Sequence, residues 1–340
     1  MTYPRRALGV MLAISALGLV ACSHSPSAAP GSHPAGATSS SSSSSSSSTT
    51  TTSTLPPPPP GLPPPAALAP LDPPAFAGEG RWTAAGRSVY GPPLLYITTL
   101  RPAGSSTPAG IAWMDASRLR GNLYSGSISP GQGPWTYTAP VQPAAALTLV
   151  CAFNGGFKLA DTHGGYYAEG RYFAPLVTGA ASLVITQDGT VTVGEWGRDE
   201  SMSADVVAVR QNLTLLVDQG APVAGLSAGD TATWGSTLNY VPQVYRSGVG
   251  VTASGALVYV SGPSLNIAQV AGLLVAAGAV RGMELDINPA WDTFTFYTPS
   301  TPTGAASAAN GTDLLASMSG GTTRFFDPGY ARDFITMSTR

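Results

Sequence analysis

Three stretches of the chain hold residues whose types and spacing suit chemistry. In the first, Leu147 to Glu169, an apolar run breaks at Asn154-Gly155-Gly156 into a polar loop carrying Lys158, Asp161, His163 and Glu169. Paired glycines let a ligand approach the backbone closely, and turns rich in free N–H groups favour anions. The second stretch is Arg246-Ser247-Gly248, just ahead of a hairpin. A guanidinium there could fork onto phosphate oxygens. The third is Asp286, placed where a strand runs into a loop, with Glu284 two residues earlier and Asn288 two residues later. A regular strand would put both carboxylates on one face. Such a pair serves as base and nucleophile, or offers oxygens to calcium or magnesium. Each stretch also has a plainer reading: a tight turn, an arginine paired with a surface acid, and a solvated strand end.

Other chemistries find less support. No cluster of His and Cys suggests zinc. Asp161 and His163 make two thirds of a hydrolase triad, but no G-x-S-x-G elbow accompanies them. Gly164-Gly165 beside them reads as a hinge for a lid. Cys151, in an apolar run, reads as a small core residue, and its context is too unlike that of Cys22 for the two to pair.

The elements that must position these residues lie in the second part of the chain. Residues 1–22 read as an export signal: Arg5 and Arg6, then the apolar run Ala7 to Val20. Its end, Leu19-Val20-Ala21-Cys22, resembles a bacterial lipobox, which implies lipidation at Cys22 and a membrane anchor on the outer face. The paired arginines leave both general and twin-arginine export open. Residues 23–75 are rich in Ser, Thr and Pro and read as a disordered tether. Residues 76–340 then form one domain. With 16 Lys and Arg against 18 Asp and Glu, and only 10% charged residues, the chain lacks the basic face a nucleic-acid binder needs.

Within that domain the pattern predicts strands at Pro93–Arg101 and Ala109–Met114. Weaker candidates lie at Leu119–Ser127, Trp135–Val141 and Trp291–Thr298. Ser182–Trp196 reads as a hairpin turning at Asp188-Gly189, and Gly248–Val260 as a second, turning at Ser254-Gly255. A helix runs from about Asn266 to Ala277, with Ser264 or Asn266 to cap its start and Gly278 to stop it. Val280–Ile287 is a strand. The sum predicts an α+β domain of mixed, mostly antiparallel sheets with hairpins and one principal helix packed on them.

FNGGF at Phe153–Phe157, RSGVGVTASGALVYV at Arg246–Val260 and MELDIN at Met283–Asn288 come in one order. Together they resemble the phosphodiester glycosidase family, bacterial and lysosomal, over roughly Pro93 to the C-terminus. The resemblance implies hydrolysis of a glycosyl phosphodiester of a cell wall or exopolysaccharide. By that resemblance, Arg246 and Asn154 would grip phosphate with help from Gly155, Gly156 and Lys158. Asp286 would work at the sugar, with Glu284 and Asn288 alongside, and no cofactor is required. The family usually continues Leu-Asp-Gly-Gly-Gly-Ser, whereas here Leu285-Asp286 is followed by Ile287-Asn288-Pro289. That departure supports a rival expectation, a non-catalytic module binding wall glycan or a phosphate-bearing polymer.

Overall fold

The computed structural model describes residues 60–340 except 88, 132, 228 and 238–240. The expected signal, Cys22 and most of the tether therefore lie outside the described residues. Three antiparallel sheets form the domain. The largest has eight strands, in the order Thr83–Ala85, Leu95–Leu100, Ala109–Met114, Leu257–Leu265, Val244–Thr252, Ala279–Glu284, Leu215–Asp218 and Ala221–Pro222. Its centre is the long hairpin 244–265, whose turn needs the left-handed Gly255 (φ 85°).

The second sheet runs Arg171–Ala174, Tyr166–Ala168, Val206–Gln211, Ala181–Thr186, Val191–Glu195. Its last two strands are the expected hairpin, and Asp188 is spent on the turn: its carboxylate accepts from Thr186 Oγ1, Thr190 N and Thr190 Oγ1. The third sheet runs Gly311–Asp313, Phe294–Tyr297, Leu149–Asn154, Phe334–Thr339, Leu119–Tyr124. The strand Phe334–Thr339 has no counterpart in the sequence reading. It sits mid-sheet, and it follows directly on Arg332 and Asp333. Trp135–Val141 forms no strand; its part in a ladder is the single bridge of Ser125 to Thr138.

The architecture is dominated by sheet, more than the expected α+β description implies. The longest described helix is Ile267–Ala276, closed at its start by a reciprocal pair: Asn266 Oδ1 accepts from Gln269 N, and Gln269 Oε1 accepts from Asn266 N. Ile267, Val270, Ala271 and Leu274 bury its inner face against the eight-stranded sheet. The other face of that sheet joins the second and third sheets in the main core, with Leu95, Met114, Phe153, Leu183, Val249, Met283 and Ile335.

The tether boundary needs correction. Residues 60–75 belong to the folded unit, because they supply partners the sheet edge lacks. Leu68 N donates to Gly80 O, and Leu62 N donates to Asp115 Oδ2. Trp82 Nε1 donates to Ala66 O, and Arg101 Nη2 to Asp72 O. Leu62, Leu68 and Leu71 pack beside the helix-side core.

Candidate active site

The Asn154-Gly155-Gly156 turn continues the strand Leu149–Asn154. The Asn154 amide is consumed by the fold. Its Nδ2 donates to Gly155 O and Ser247 Oγ (both 3.0 Å), and its Oδ1 accepts from Tyr259 Oη (2.8 Å) and Thr293 N (3.1 Å). Two donors and two lone pairs are thereby filled, so nothing remains for a ligand. The glycines answer to packing rather than to an anion. A Cβ on Gly155 would stand 2.1 Å from Asp333 Oδ2, and one on Gly156 2.9 Å from Asn212 Cγ. Gly155 N donates to Asp333 O (3.0 Å). What the turn offers is carbonyls: Gly155 O accepts from Asp286 N (3.2 Å), and Gly156 O accepts from Arg332 Nη2 (2.8 Å). The turn therefore positions an acid and a guanidinium.

Arg246 is a second correction. It is 2% exposed and lies beneath the site, with Nη1 2.6 Å from Glu284 Oε1 and Nε donating to Leu265 O (3.1 Å). A hidden guanidinium must find an internal counter-charge, and Glu284, on the neighbouring strand, supplies it. Glu284 meets Arg246 in the interior, whereas Asp286 lines the cleft. Burial raises the Glu284 carboxyl to about 7, against the pull of Arg246. Glu284 Oε1 is thus committed to Arg246. Among the described residues no three His, Cys, Asp or Glu side chains are grouped as a metal site needs.

Of the residues singled out in the sequence, Asp286, Lys158 and Asn288 line one cleft of about 520 Å³, together with Asp161 and His163. Asn154, Gly155, Gly156, Arg246 and Glu284 lie behind it. The cleft's charged floor is Asp286 and Arg332. Asp286 Oδ1 accepts from the backbone N–H groups of Ile287 (2.8 Å) and Asn288 (3.1 Å). Its Oδ2 lies 2.7 Å from Arg332 Nη2, but no N–H is aligned on it. Arg332 Nε likewise lacks a partner. An ion-paired acid oxygen and an unpartnered guanidinium N–H thus sit together under an opening. Burial raises the Asp286 carboxyl to about 6; Arg332 and the two backbone donors pull it down. Arg332 also stacks on Trp291, 5.4 Å from the ring centre. Phe157, Val244, Ile287 and Trp291 make an apolar wall.

Behind the floor lies a third acid, Asp292. Ser247 Oγ accepts from Asn154 Nδ2 and has one hydrogen to give, which Asp286 O (2.8 Å) and Asp292 Oδ1 (3.1 Å) share as acceptors. Burial, Asp286 and Glu284 push the Asp292 carboxyl well above its usual range, while the bond from Ser247 pulls it down. Ser247 thereby ties Asp292 to the backbone of Asp286.

Sequence reasoning missed Arg332, Asp333, Arg210 and Asp292. Arg210 is buried in the strand Val206–Gln211, paired with Asp333 (Nε to Oδ2, 2.6 Å), and also donates to Phe157 O. This pair clamps the turn between the second and third sheets. Gly164-Gly165 is not a loose hinge: Gly165 N donates to Gln211 Oε1 (2.7 Å), and a Cβ on Gly165 would meet Pro175 O at 2.2 Å. Cys151 is free and buried, its sulfur 3.6 Å from that of Met114.

No family model matches the chain, and no curated protein matches it. Among solved structures, the chain is similar to the zebrafish N-acetylglucosamine-1-phosphodiester alpha-N-acetylglucosaminidase catalytic domain auto-inhibited by its pro-peptide. Identity is 17%, over 76% of this chain and 88% of that one, at a TM-score of 0.44. A hypothetical protein from Synechocystis is 11% identical, over 72% of this chain and 62% of that one, at 0.41. An exported protein of Burkholderia pseudomallei is 12% identical, over 70% and 75%, at 0.36.

Proposed function

We propose that this chain is a hydrolase of a glycosyl phosphodiester, held at the outer face of a membrane by a lipid on Cys22 and a Ser/Thr/Pro-rich tether. The observation that carries the reading is the ion pair of Asp286 Oδ2 with Arg332, whose Nε has no partner, at the floor of a cleft rimmed by Lys158. In this reading Arg332, not Arg246, takes the phosphate oxygens, with Lys158 as a second positive charge. Ionised Asp286 accepts a proton from water as that water attacks the anomeric carbon. The carbon–oxygen bond to phosphate breaks, and the electron pair leaves with a phosphate monoester. Because that group departs as an anion, no second carboxylic acid is required, unlike in ordinary glycoside hydrolysis. The apolar wall of Phe157, Val244, Ile287 and Trp291 suits a sugar face.

A second reading is a binding module for a phosphate-bearing glycan. It is favoured by the depth of Asp286, 4% exposed and already beside Arg332. One experiment separates the two. The purified protein is offered a sugar phosphodiester, and released sugar is measured beside binding by calorimetry. Turnover lost in Asp286→Asn supports the hydrolase. Binding without turnover supports the module. Equal rates in Asp286→Asn and the unchanged protein overturn the assigned role.

A further inference from the structure

A second cavity, of about 250 Å³, opens at the far end of the strand Phe334–Thr339 from Arg332. Six residues of strand set the two openings on the order of 20 Å apart. Three guanidinium groups line this cavity: Arg87, Arg118 and Arg340. Arg87 and Arg118 are buried. Arg87 is tied only to carbonyls, with Nε to Leu149 O, Nη1 to Pro302 O and Gly304 O, and Nη2 to Ala146 O. Arg118 gives Nη1 to Pro92 O (2.6 Å) and Nη2 to Tyr90 O (2.9 Å), leaving three of its five N–H donors uncommitted. Neither has a carboxylate within 4.0 Å; Arg340 has Asp188, at 3.8 Å and mostly exposed. Every Asp and Glu of the chain is among the described residues, since residues 1–59 and the other undescribed positions include none. No acid side chain lines the cavity; the buried Asp115 neighbours Arg118 from outside it.

Burying a cation without a counter-charge is costly, and burial pulls the Arg87 guanidinium below its ordinary value. The carbonyl bonds hold the guanidinium groups in place but cancel no net charge. From three clustered cations, free donors on Arg118 and a confined volume, we infer that this cavity is a binding site for a phosphoryl oxyanion, separate from the cleft. Thr339 at its edge and the apolar Leu94 and Pro302 leave room for a small group esterified to the phosphate. A polymer chain would not fit.

Inorganic phosphate and a phosphate monoester are each titrated by calorimetry into the folded protein and into its Arg332→Gln and Arg118→Gln variants, the fold being checked by circular dichroism. The Arg332→Gln variant should retain one phosphate site, and Arg118→Gln should weaken that site tenfold or more. Raising the salt concentration should weaken it too. If Arg118→Gln does not fold, Arg340→Gln replaces it, with the same loss expected. Equal binding of both probes marks the phosphoryl group as what is recognised; binding of inorganic phosphate alone narrows the site to the free ion. Absence of phosphate binding in Arg332→Gln overturns the inference, as does binding indifferent to both cavity substitutions.

Discussion

Asp286 Oδ2 stands 2.7 Å from Arg332 Nη2, which also donates to Gly156 O. The charges attract, yet the acid keeps a free lone pair. On the proposed function, Asp286→Asn should lower turnover of a sugar phosphodiester by about 100-fold or more, the range of a positioned base. Arg332→Gln should raise KM as well as lower kcat, since it removes a binding charge. Steady-state kinetics on the two variants would show the split, and a KM unaltered in Arg332→Gln would exclude phosphate contact.

The raised acid also sets a pH profile. Asp286 is a base only when ionised, so kcat/KM should climb through about pH 6 and then level. A rate that instead falls as pH rises from 5 to 7 would assign Asp286 the role of an acid.

Stability should move the opposite way. Asp286, Glu284 and Asp292 hold protons in the fold that an unfolded chain releases near pH 4. Their contribution is whole below that value and is lost as pH rises through their folded values, about 6 for Asp286 and about 7 for Glu284. Urea midpoints should therefore fall between pH 4 and pH 8, Asp286 alone contributing the equivalent of about 3 kcal/mol. Below pH 4 the trend reverses, because Asp188, held down to about 2 by Thr186 and Thr190, is then protonated. A midpoint that rises steadily from pH 4 to pH 8 would contradict a protonated Asp292.

Substitutions behind the floor should separate support from chemistry. Arg246→Met strands Glu284 in the interior and should cost about 3 kcal/mol, read as a lower Tm. Asp292→Asn keeps an oxygen that accepts from Ser247 and should cost under about 1 kcal/mol, while Asp292→Leu cannot hold Ser247 and should cost more. Gly155→Ala forces a methyl group onto Asp333 and should cost about 3 kcal/mol.

A chain beginning at residue 76 should melt below one beginning at residue 56. It exposes the surface under Leu62, Leu68 and Leu71 and frees Arg101 from Asp72 O. Equal Tm values would return residues 60–75 to the tether.

Local signals carried far in this chain. Asp188-Gly189 located a hairpin, Asn266 and Gly278 bracketed the helix, and strand-to-loop positions drew attention to the Asn154 turn and Asp286. Each of these is written in neighbouring residues. Arg332 and Asp333 could not be read that way, since they sit in an aromatic tail whose strand pairs with segments remote in sequence. Arg210 lies in an otherwise apolar strand, and only the approach of Asp333 explains it. Arg246 misled because a guanidinium suits phosphate and buried glutamate alike; which it meets depends on the sheet face.

The position of Phe334–Thr339 between Leu149–Asn154 and Leu119–Tyr124 has a consequence for how the molecule is made. A ribosome delivers both flanking strands long before the strand that must slot between them. Until then the third sheet has a gap, and Arg332 has no fixed address beside Asp286. The nascent polypeptide is thus expected to stay incomplete through most of translation and to acquire its cleft in a late, non-local closing step.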